Sequence, residues 1–372
     1  MISRSQTITS VWIHGSSLGD VNALRSISAE MHSKMNTISL SASTKSGRTR
    51  WDQLINEGHF ENPSKVTLRE APLLSPIKAI NALKESGAQL LILELLEVWP
   101  SWVLTWSKRG VKVVVVDGRL SKRTLWARPL LRPSFKALSL FLAQSDLDAQ
   151  RARMMGCTSS AVVTCGDAKL DSLLKTLTKS DVKQGEFTQA SSIDLIVGCV
   201  RRRDERALVH EVRRYLDQRP QDQILIAPRH LKRVDPLLKA LSKRGVAASR
   251  VSDQSKSSVK ILDEYGVLSS LYRQAHCAII GGTFFNRGQN LIEAAYGGCG
   301  VIFGPRMDHH RAQARAVEEG GAYRVDSWSE AFTRAALLQL REQAEISIDL
   351  KPLLELSGVI ECQLRLIRAL DL

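Results

Sequence analysis

Short apolar runs alternate along this chain with stretches in which apolar residues recur at helical spacing. Ser10–His14 (SVWIH) and Thr37–Ser41 predict strands on either side of a helix over Val21–Lys34. Leu90–Leu93 (LLIL) and Val111–Val116 (VKVVVV) are nearly unbroken apolar runs, suited to strands buried on both faces of a parallel sheet. Phe141–Ala143 and Ala161–Thr164 continue the series. A polar stretch, Thr176–Ser192, then reads as a linker. After it the alternation restarts, with strands over Ile193–Val197, Gln223–Ala227, Val259–Leu262, Cys277–Ile280 and Gly300–Phe303, helices over Glu205–Gln218 and Arg233–Arg244, and a helical end over Leu350–Leu372. The expected class is α/β: two Rossmann-like, doubly wound parallel-sheet domains. The boundaries are 1–176 for the first, 177–192 for the linker, 193–345 for the second, and 346–372 for a terminal helix that can cross back onto the first domain.

Composition narrows the picture. The chain has 372 residues, 44% hydrophobic and 24% charged, a globular balance that excludes a disordered tail protein and a collagen. No apolar run reaches the 18 residues of a bilayer-spanning helix, and the N-terminus fits no signal peptide. The six cysteines lack CxxC spacing and read as reduced thiols of a cytoplasmic protein. Lys and Arg number 52 against 38 Asp and Glu, a formal charge of +14 that favours anionic partners: nucleic acid, an acidic leaflet or phosphorylated substrates. Dispersed basic residues, 5% aromatics and no RNA-binding signature argue against nucleic acid.

Ligands of open parallel sheets bind beyond the carboxyl ends of the strands, so the segments after each strand carry the candidate chemistry. His14-Gly15-Ser16-Ser17-Leu18-Gly19-Asp20 follows a strand and opens a helix, where small residues and free N–H groups favour an anion; Asp20 there is equally a helix cap. No GxGxxG or P-loop fingerprint is present. Glu97-Val98-Trp99-Pro100 and Asp117-Gly118-Arg119 follow the next strands, and Arg119 can hold an anion or pair with Asp117. Asp146 and Asp148 fit a helix start with Ser145 better than a metal site. In the second half, Arg229 and His230 follow Pro228, Gly281-Gly282-Thr283 follows a strand with amides expected to meet phosphate, and Asn290 and Glu293 share a helix face. His309 and His310 are adjacent, which disfavours a zinc site.

In this order the segments resemble the bacterial 3-deoxy-D-manno-octulosonic acid (Kdo) transferases of lipopolysaccharide synthesis. The landmarks are Trp12-Ile13-His14, Glu97-x-Trp99-Pro100, Gly118-Arg119-Leu120-Ser121, Ala143-Gln144-Ser145, Gly166 with Lys169-Leu170-Asp171, Ala227-Pro228-Arg229-His230, Gly281-Gly282, Asn290-x-x-Glu293 and Phe303-Gly304-Pro305. The resemblance implies a GT-B fold whose two domains face a central cleft. It implies an inverting, metal-independent enzyme without a cofactor that moves Kdo from CMP-Kdo to a lipid A precursor, peripheral on the anionic inner face of the cell membrane. Asp20 stands at the family's general base. Arg229, His230, Gly266, Gly281, Gly282, Thr283, Asn290 and Glu293 are implied on the nucleotide, and Ser17, Gly19, Glu97, Arg119 and Lys169 on the acceptor side. The chain is expected to begin near the start of the family's catalytic core, after its membrane-anchoring segment.

The departures are specific. The family acid is usually Glu, one methylene longer than Asp20. The Glu-Thr-Glu before Trp-Pro reads Leu95-Leu96-Glu97, with Glu94 one position early; Gly-Gly-His-Asn becomes Arg287-Gly288-Gln289-Asn290; Met-Gly-Glu reads Tyr265-Gly266-Val267; and a Gly-Ser loop reads Gly198-Cys199-Val200-Arg201-Arg202, bulkier and more basic. A divergent GT-B protein with another nucleotide-sugar donor, or a non-catalytic binder in envelope assembly, is the alternative.

Overall fold

The computed structural model describes residues 8–171, 173, 193–253, 255–286, 288–308 and 310–370. The linker reading over 177–192, and Arg287 and His309, lie outside them. The chain forms two compact units: Met1–Leu174 with Ser357–Leu372, and Lys175–Leu356.

Unit 1 carries a parallel seven-stranded sheet of β1 (Ser10–His14), β2 (Thr37–Ser41), β3 (Val66–Leu68), β4 (Leu90–Glu94), β5 (Lys112–Gly118), β6 (Leu140–Ala143) and β7 (Val162–Thr164), in the order β3-β2-β1-β4-β5-β6-β7. The chain moves outward from β1 to β3, then returns to β1's other side with β4, so the switch point lies between β1 and β4. Alternate residues of β1 serve opposite layers. Val11 and Ile13 join an apolar cluster with Leu24 and Ile27 of α1 (Leu18–Lys34), whereas Trp12 joins one with Trp102 and Trp106 of α4 (Pro100–Ser107). These three tryptophans meet edge to face, with centroids 5.5 to 5.7 Å apart. Helices α2 (Lys45–Asn56), α3 (Pro76–Ser86), α5 (Arg128–Lys136) and α6 (Asp146–Met155) complete the two layers.

Unit 2 repeats the plan with β8 (Ile193–Val200), β9 (Ile224–Pro228), β10 (Ala248–Arg250), β11 (Val259–Ile261), β12 (Ala275–Ile280), β13 (Gly300–Phe303) and β14 (Tyr323–Arg324), all parallel, in the order β10-β11-β9-β8-β12-β13-β14. Its switch point lies between β8 and β12.

The single helix expected over Leu350–Leu372 is broken. A turn of helix at Lys351–Leu354 stays with unit 2, and Gly358, at φ 82°, interrupts the chain before a helix over Val359–Arg368. That last helix packs Val359, Ile360, Leu364 and Ile367 into the unit 1 core beside α1. Its exposed amides are capped by Asp171, whose carboxylate accepts from Gly358 N at 2.8 Å and Ile360 N at 3.0 Å. Asp171→Ala should therefore cost unit 1 about 1–2 kcal/mol in urea denaturation and speed amide exchange in the last helix; unchanged exchange there would show that the cap is not what holds it.

Candidate functional site

The carboxyl ends of β1 and β4 converge at the unit 1 switch point. The loop after β1 must hug α1: a Cβ on Gly15 would stand 2.9 Å from the Leu24 side chain. Ser17 ends this loop as the N-cap of α1, and its amide and hydroxyl donate to Asp20 Oδ2 at 2.9 and 2.8 Å. Lys169 Nζ donates to the other oxygen, Oδ1, at 3.0 Å. Asp20 is thus a helix cap and an ion-pair member at once, and only 6% exposed. Burial raises its pKa, but the Lys169 charge and hydrogen bond, with the two bonds from Ser17, outweigh burial and leave it below the ordinary carboxylate value.

The same lysine stands 4.0 Å from Glu94 Oε1 at the end of β4. Glu94 is buried, and neither carboxylate oxygen has a hydrogen-bond partner among the described residues. Burial and the charge of Asp117 raise its pKa well above the ordinary value. Asp117, in β5, has φ 51°, and its Oδ1 accepts from Ala168 N and Gln363 Nε2, each at 2.9 Å. Burial and then the charge of Asp167 push its pKa to about 7. Lys169 itself is desolvated, which lowers its pKa, yet Glu94 and Asp20 raise it further and keep it charged.

A second pairing lies beside this one. His14 is fully buried, with Nδ1 2.8 Å from Ser41 Oγ and Nε2 3.5 Å from Glu97 Oε2. Trp99 Nε1 donates to the same Glu97 oxygen at 2.7 Å. Burial raises the Glu97 pKa, and the His14 and Trp99 hydrogen bonds more than reverse it. Gly19 is exposed, and a Cβ added there would meet only Ser17 Oγ, at 3.8 Å. Arg119, half-buried in the loop after β5, makes no ion pair or hydrogen bond among the described residues and so joins neither group. Asp146 and Asp148 part ways: Asp146 Oδ1 accepts from Thr164 Oγ1 at 2.8 Å, and Asp148 accepts from Leu120 N at 2.8 Å and from Ser145 Oγ at 2.5 Å.

In unit 2, Arg229 and His230 follow β9, with His230 exposed and Arg229 N bonded to Val200 O at 2.8 Å. Glu293 opens a short helix, Ile292–Tyr296, and accepts from Asn290 Nδ2 at 3.3 Å. Burial raises its pKa, and the Asn290 bond and Arg229 charge partly offset this. Asn290 Oδ1 is taken by Ile292 N at 3.0 Å and Gln313 Nε2 at 2.9 Å, so its outward role is limited to the amide nitrogen. Gly266 lies exposed in the loop after β11 at φ 91°.

Three expectations in unit 2 need correction. The Gly281 amide donates to Gly198 O at 2.7 Å and the Gly282 amide to buried Asp204 Oδ2 at 2.9 Å, so neither is free for a phosphate. Thr283 is fully buried; its hydroxyl donates to Ile280 O at 2.6 Å and accepts from Gly304 N at 2.8 Å. These residues shape the edge of the sheet. Conversely, Glu94 and Asp117 come together around Lys169 without having been assigned a site role from the sequence, although each is an acid ending an apolar run, the pattern of a buried charge at a sheet's carboxyl edge.

Residues 2–172 match the family described as 3-deoxy-D-manno-octulosonic-acid transferase (kdotransferase). The chain is 28% identical over 331 residues to the 3-deoxy-D-manno-octulosonic acid transferase of Bordetella pertussis, covering 85% of this chain and 76% of that one. Residues 2–172, within unit 1, thus match the Kdo transferase family, and its curated members similar to this chain are glycosyltransferases. A bifunctional glycosyltransferase/methyltransferase of Fusobacterium nucleatum is 24% identical over 310 residues; the match covers 79% of this chain and 47% of that one, so the chain spans about half the length of that relative. The fold of the present chain is the two-unit GT-B arrangement. Among solved structures, a putative UDP-N-acetylglucosamine 2-epimerase from Listeria monocytogenes aligns with TM-score 0.65 and 10% identity over 98% of this chain and 96% of that one. The UDP-GlcNAc 2-epimerase of Methanocaldococcus jannaschii aligns with TM-score 0.64 and 14% identity over 97% and 99%. At such identities the likeness concerns the fold alone.

Asp117 gives unit 1 a measurable titration. Its folded pKa lies above its ordinary 3.8, so its contribution to stability is complete below that value and is lost as pH rises through about 7. Asp117→Asn keeps an oxygen to accept both bonds and does not ionise. Its stability relative to the parent should rise by about 2 kcal/mol between pH 5.5 and 8.5, read from urea melts at both pH values; a constant gap would place the titration elsewhere.

Proposed function

We propose that this chain transfers Kdo from CMP-Kdo to a lipid A-type acceptor, with inversion and without a metal. The observation that carries the reading is Asp20, a buried carboxylate kept ionised in the first turn of α1 by Lys169. An acceptor hydroxyl loses its proton to Asp20 as its oxygen bonds to the anomeric carbon of the sugar. The bond from that carbon to the phosphate oxygen breaks on the opposite face, and CMP leaves as an anion. A carboxylate with a lowered pKa is a weak base, so proton removal belongs late in the step, when the new C–O bond has already made the hydroxyl acidic. Lys169 keeps Asp20 ready across the neutral range. On the donor side, Arg229 meets the phosphate charge, and Glu293 with the Asn290 amide meets ribose hydroxyls.

Asp20→Asn should lower addition of Kdo mass to a tetra-acylated lipid A precursor by at least about a hundredfold while CMP binding persists. A parent protein that binds CMP but never turns over CMP-Kdo would favour a non-catalytic binder, and an active Asp20→Asn variant would remove Asp20 from the chemistry.

The acceptor class and the +14 charge extend the reading to a peripheral place on the anionic inner face of the membrane. Among the described residues no helix is long and apolar enough to cross a bilayer. Residues 118–145 contain six cations (Arg119, Lys122, Arg123, Arg128, Arg132, Lys136) and no acid. The last five are exposed and make no ion pair among the described residues, and Trp126 and Leu130 between them are 83% and 69% exposed. A basic surface with an exposed Trp and Leu suits an anionic interface. Trp126→Ser with Leu130→Ser should cut cosedimentation with phosphatidylglycerol vesicles about tenfold and leave binding to phosphatidylcholine vesicles as low as before; undiminished sedimentation would move the contact off this face.

A further inference from the structure

Cys165 and Cys362 lie 197 residues apart in sequence, yet the Cys362 thiol donates to Cys165 Sγ at 3.1 Å. Both residues are half-buried. A disulfide bond is about 2.05 Å long, so about 1 Å of closure joins the two sulfurs. The other four cysteines make no sulfur–sulfur contact among the described residues; Cys277 and Cys299 donate to the backbone oxygens of Asp194 and Ala294. Geometry therefore singles out one pair.

The backbone on each side of the pair is anchored. Cys165 follows β7, and its amide donates to Ala143 O, at the carboxyl end of β6, at 2.9 Å. Gly166 follows at φ 108°, and a Cβ there would stand 2.7 Å from Val359 Cγ2, so this segment runs directly against the first turn of the last helix. On that helix Gln363 Nε2 donates to Asp117 Oδ1 at 2.9 Å, Arg368 Nη2 donates to Glu30 Oε1 at 2.6 Å, and Asp171 caps the N-terminal end. These contacts fix the helix in rotation as well as in position, and so hold Cys362 toward Cys165. Burial, and then the Cys362 sulfur, push the Cys165 thiol up, which slows its random oxidation and leaves its neighbour as the route by which it reacts.

We propose that Cys165 and Cys362 form a thiol–disulfide exchange site, which a small-molecule disulfide oxidises to an intramolecular bond that fastens the last helix to the segment carrying Lys169. The thiolate of one cysteine attacks the small disulfide; a mixed disulfide forms and one small thiolate leaves. The second cysteine gives up its proton and attacks the protein sulfur of that bond, and the other small thiolate leaves. Two electrons pass from the protein thiols to the small disulfide, and the two cysteine protons end on the small thiols released. Excess small thiol reverses both steps. The chain leaves unit 1 after Leu174 and returns at Ser357, so the bond closes a loop that contains all of unit 2 and restrains the unfolded chain. Within the fastened segment, Ala168 N holds Asp117 and Lys169 Nζ holds Asp20. The pair stands on its own geometry and does not depend on the transfer reading.

The test is incubation of the full chain with oxidised glutathione, followed by thiol titration after unfolding and mass spectrometry of an unreduced digest. Titratable thiols should fall from six to four, with Cys165 and Cys362 in one linked peptide, and dithiothreitol should restore all six. Amide exchange in the last helix should slow about tenfold in the oxidised chain. Cys199→Ser should form the same link, and Cys362→Ser should form no intramolecular link. The parent chain carries the deciding readout, so a variant that folds poorly does not blunt the test. Six thiols remaining, glutathione kept as a stable mixed disulfide on either cysteine, a link between other cysteines, or unchanged exchange in the linked chain would each overturn the proposal. Because the readout is the covalent state of the thiols, a failed Kdo transfer assay leaves this result intact, and the reverse also holds.

Discussion

One ammonium group organises the edge of unit 1. Lys169 pairs with Asp20 and faces Glu94, and its charge is felt by Asp117 and, through the raised Lys169 pKa, by Asp167. Four acids around one cation cannot all be ionised in a desolvated setting. The arrangement resolves the conflict by position. Asp20, with direct hydrogen bonds on both oxygens, keeps its charge. Glu94, with none, is pushed strongly toward its protonated form, and Asp117 is poised near neutrality. The lysine therefore assigns protonation states to its neighbours, and an acid able to take a proton sits next to acids that already hold one.

The backbone shows the same concentration of strain. Leu95, Asp117 and Cys199 are the non-glycine residues at positive φ among those described, and they sit at the carboxyl ends of β4, β5 and β8. Each such conformation costs about 1–3 kcal/mol and persists only where its surroundings enforce it. Here the enforcement is visible: Leu95 N is bonded to Val116 O at 3.0 Å, and the Asp117 carboxylate is bonded on two sides. The strain falls at central strand ends in both units, and at Asp117 and Cys199 it coincides with a shift in the pairing register of β5 and β8.

Much of the architecture was legible because strands buried on two faces need unbroken apolar runs; VKVVVV and LLIL leave little choice. What escaped were β3, β10 and β14, edge strands of two or three residues that bury little and so write no period into the sequence. At the site, single segments were legible and their meeting was not. Asp20 was visible as either cap or base, and it is bonded as a cap, with a charge that the base role requires. Its neighbour Lys169 is 149 residues away, a pairing only the sheet order creates. Gly281, Gly282 and Thr283 read as ligand contacts because Gly-Gly after a strand exposes amides in general; here Asp204, a buried acid at the start of another helix, claims one of them, an event no local pattern announces.

Two of the departures from the family pattern bear on how charge is held in place. A shortened acid at position 20 reaches less far, and the bonds from Ser17 and Lys169 compensate by fixing where it reaches, since a pre-oriented group loses less to misplacement than a longer free one. In unit 2, arginines stand where the family pattern has a small loop, and one guanidinium fork, that of Arg201, is held by Gln289. The fold alone could not have distinguished these choices, because epimerases of sugar nucleotides share it at 10–14% identity. Reaction type in this architecture is therefore decided at strand ends, by which few charged side chains the loops deliver there and by which of their charges the buried partners allow to survive.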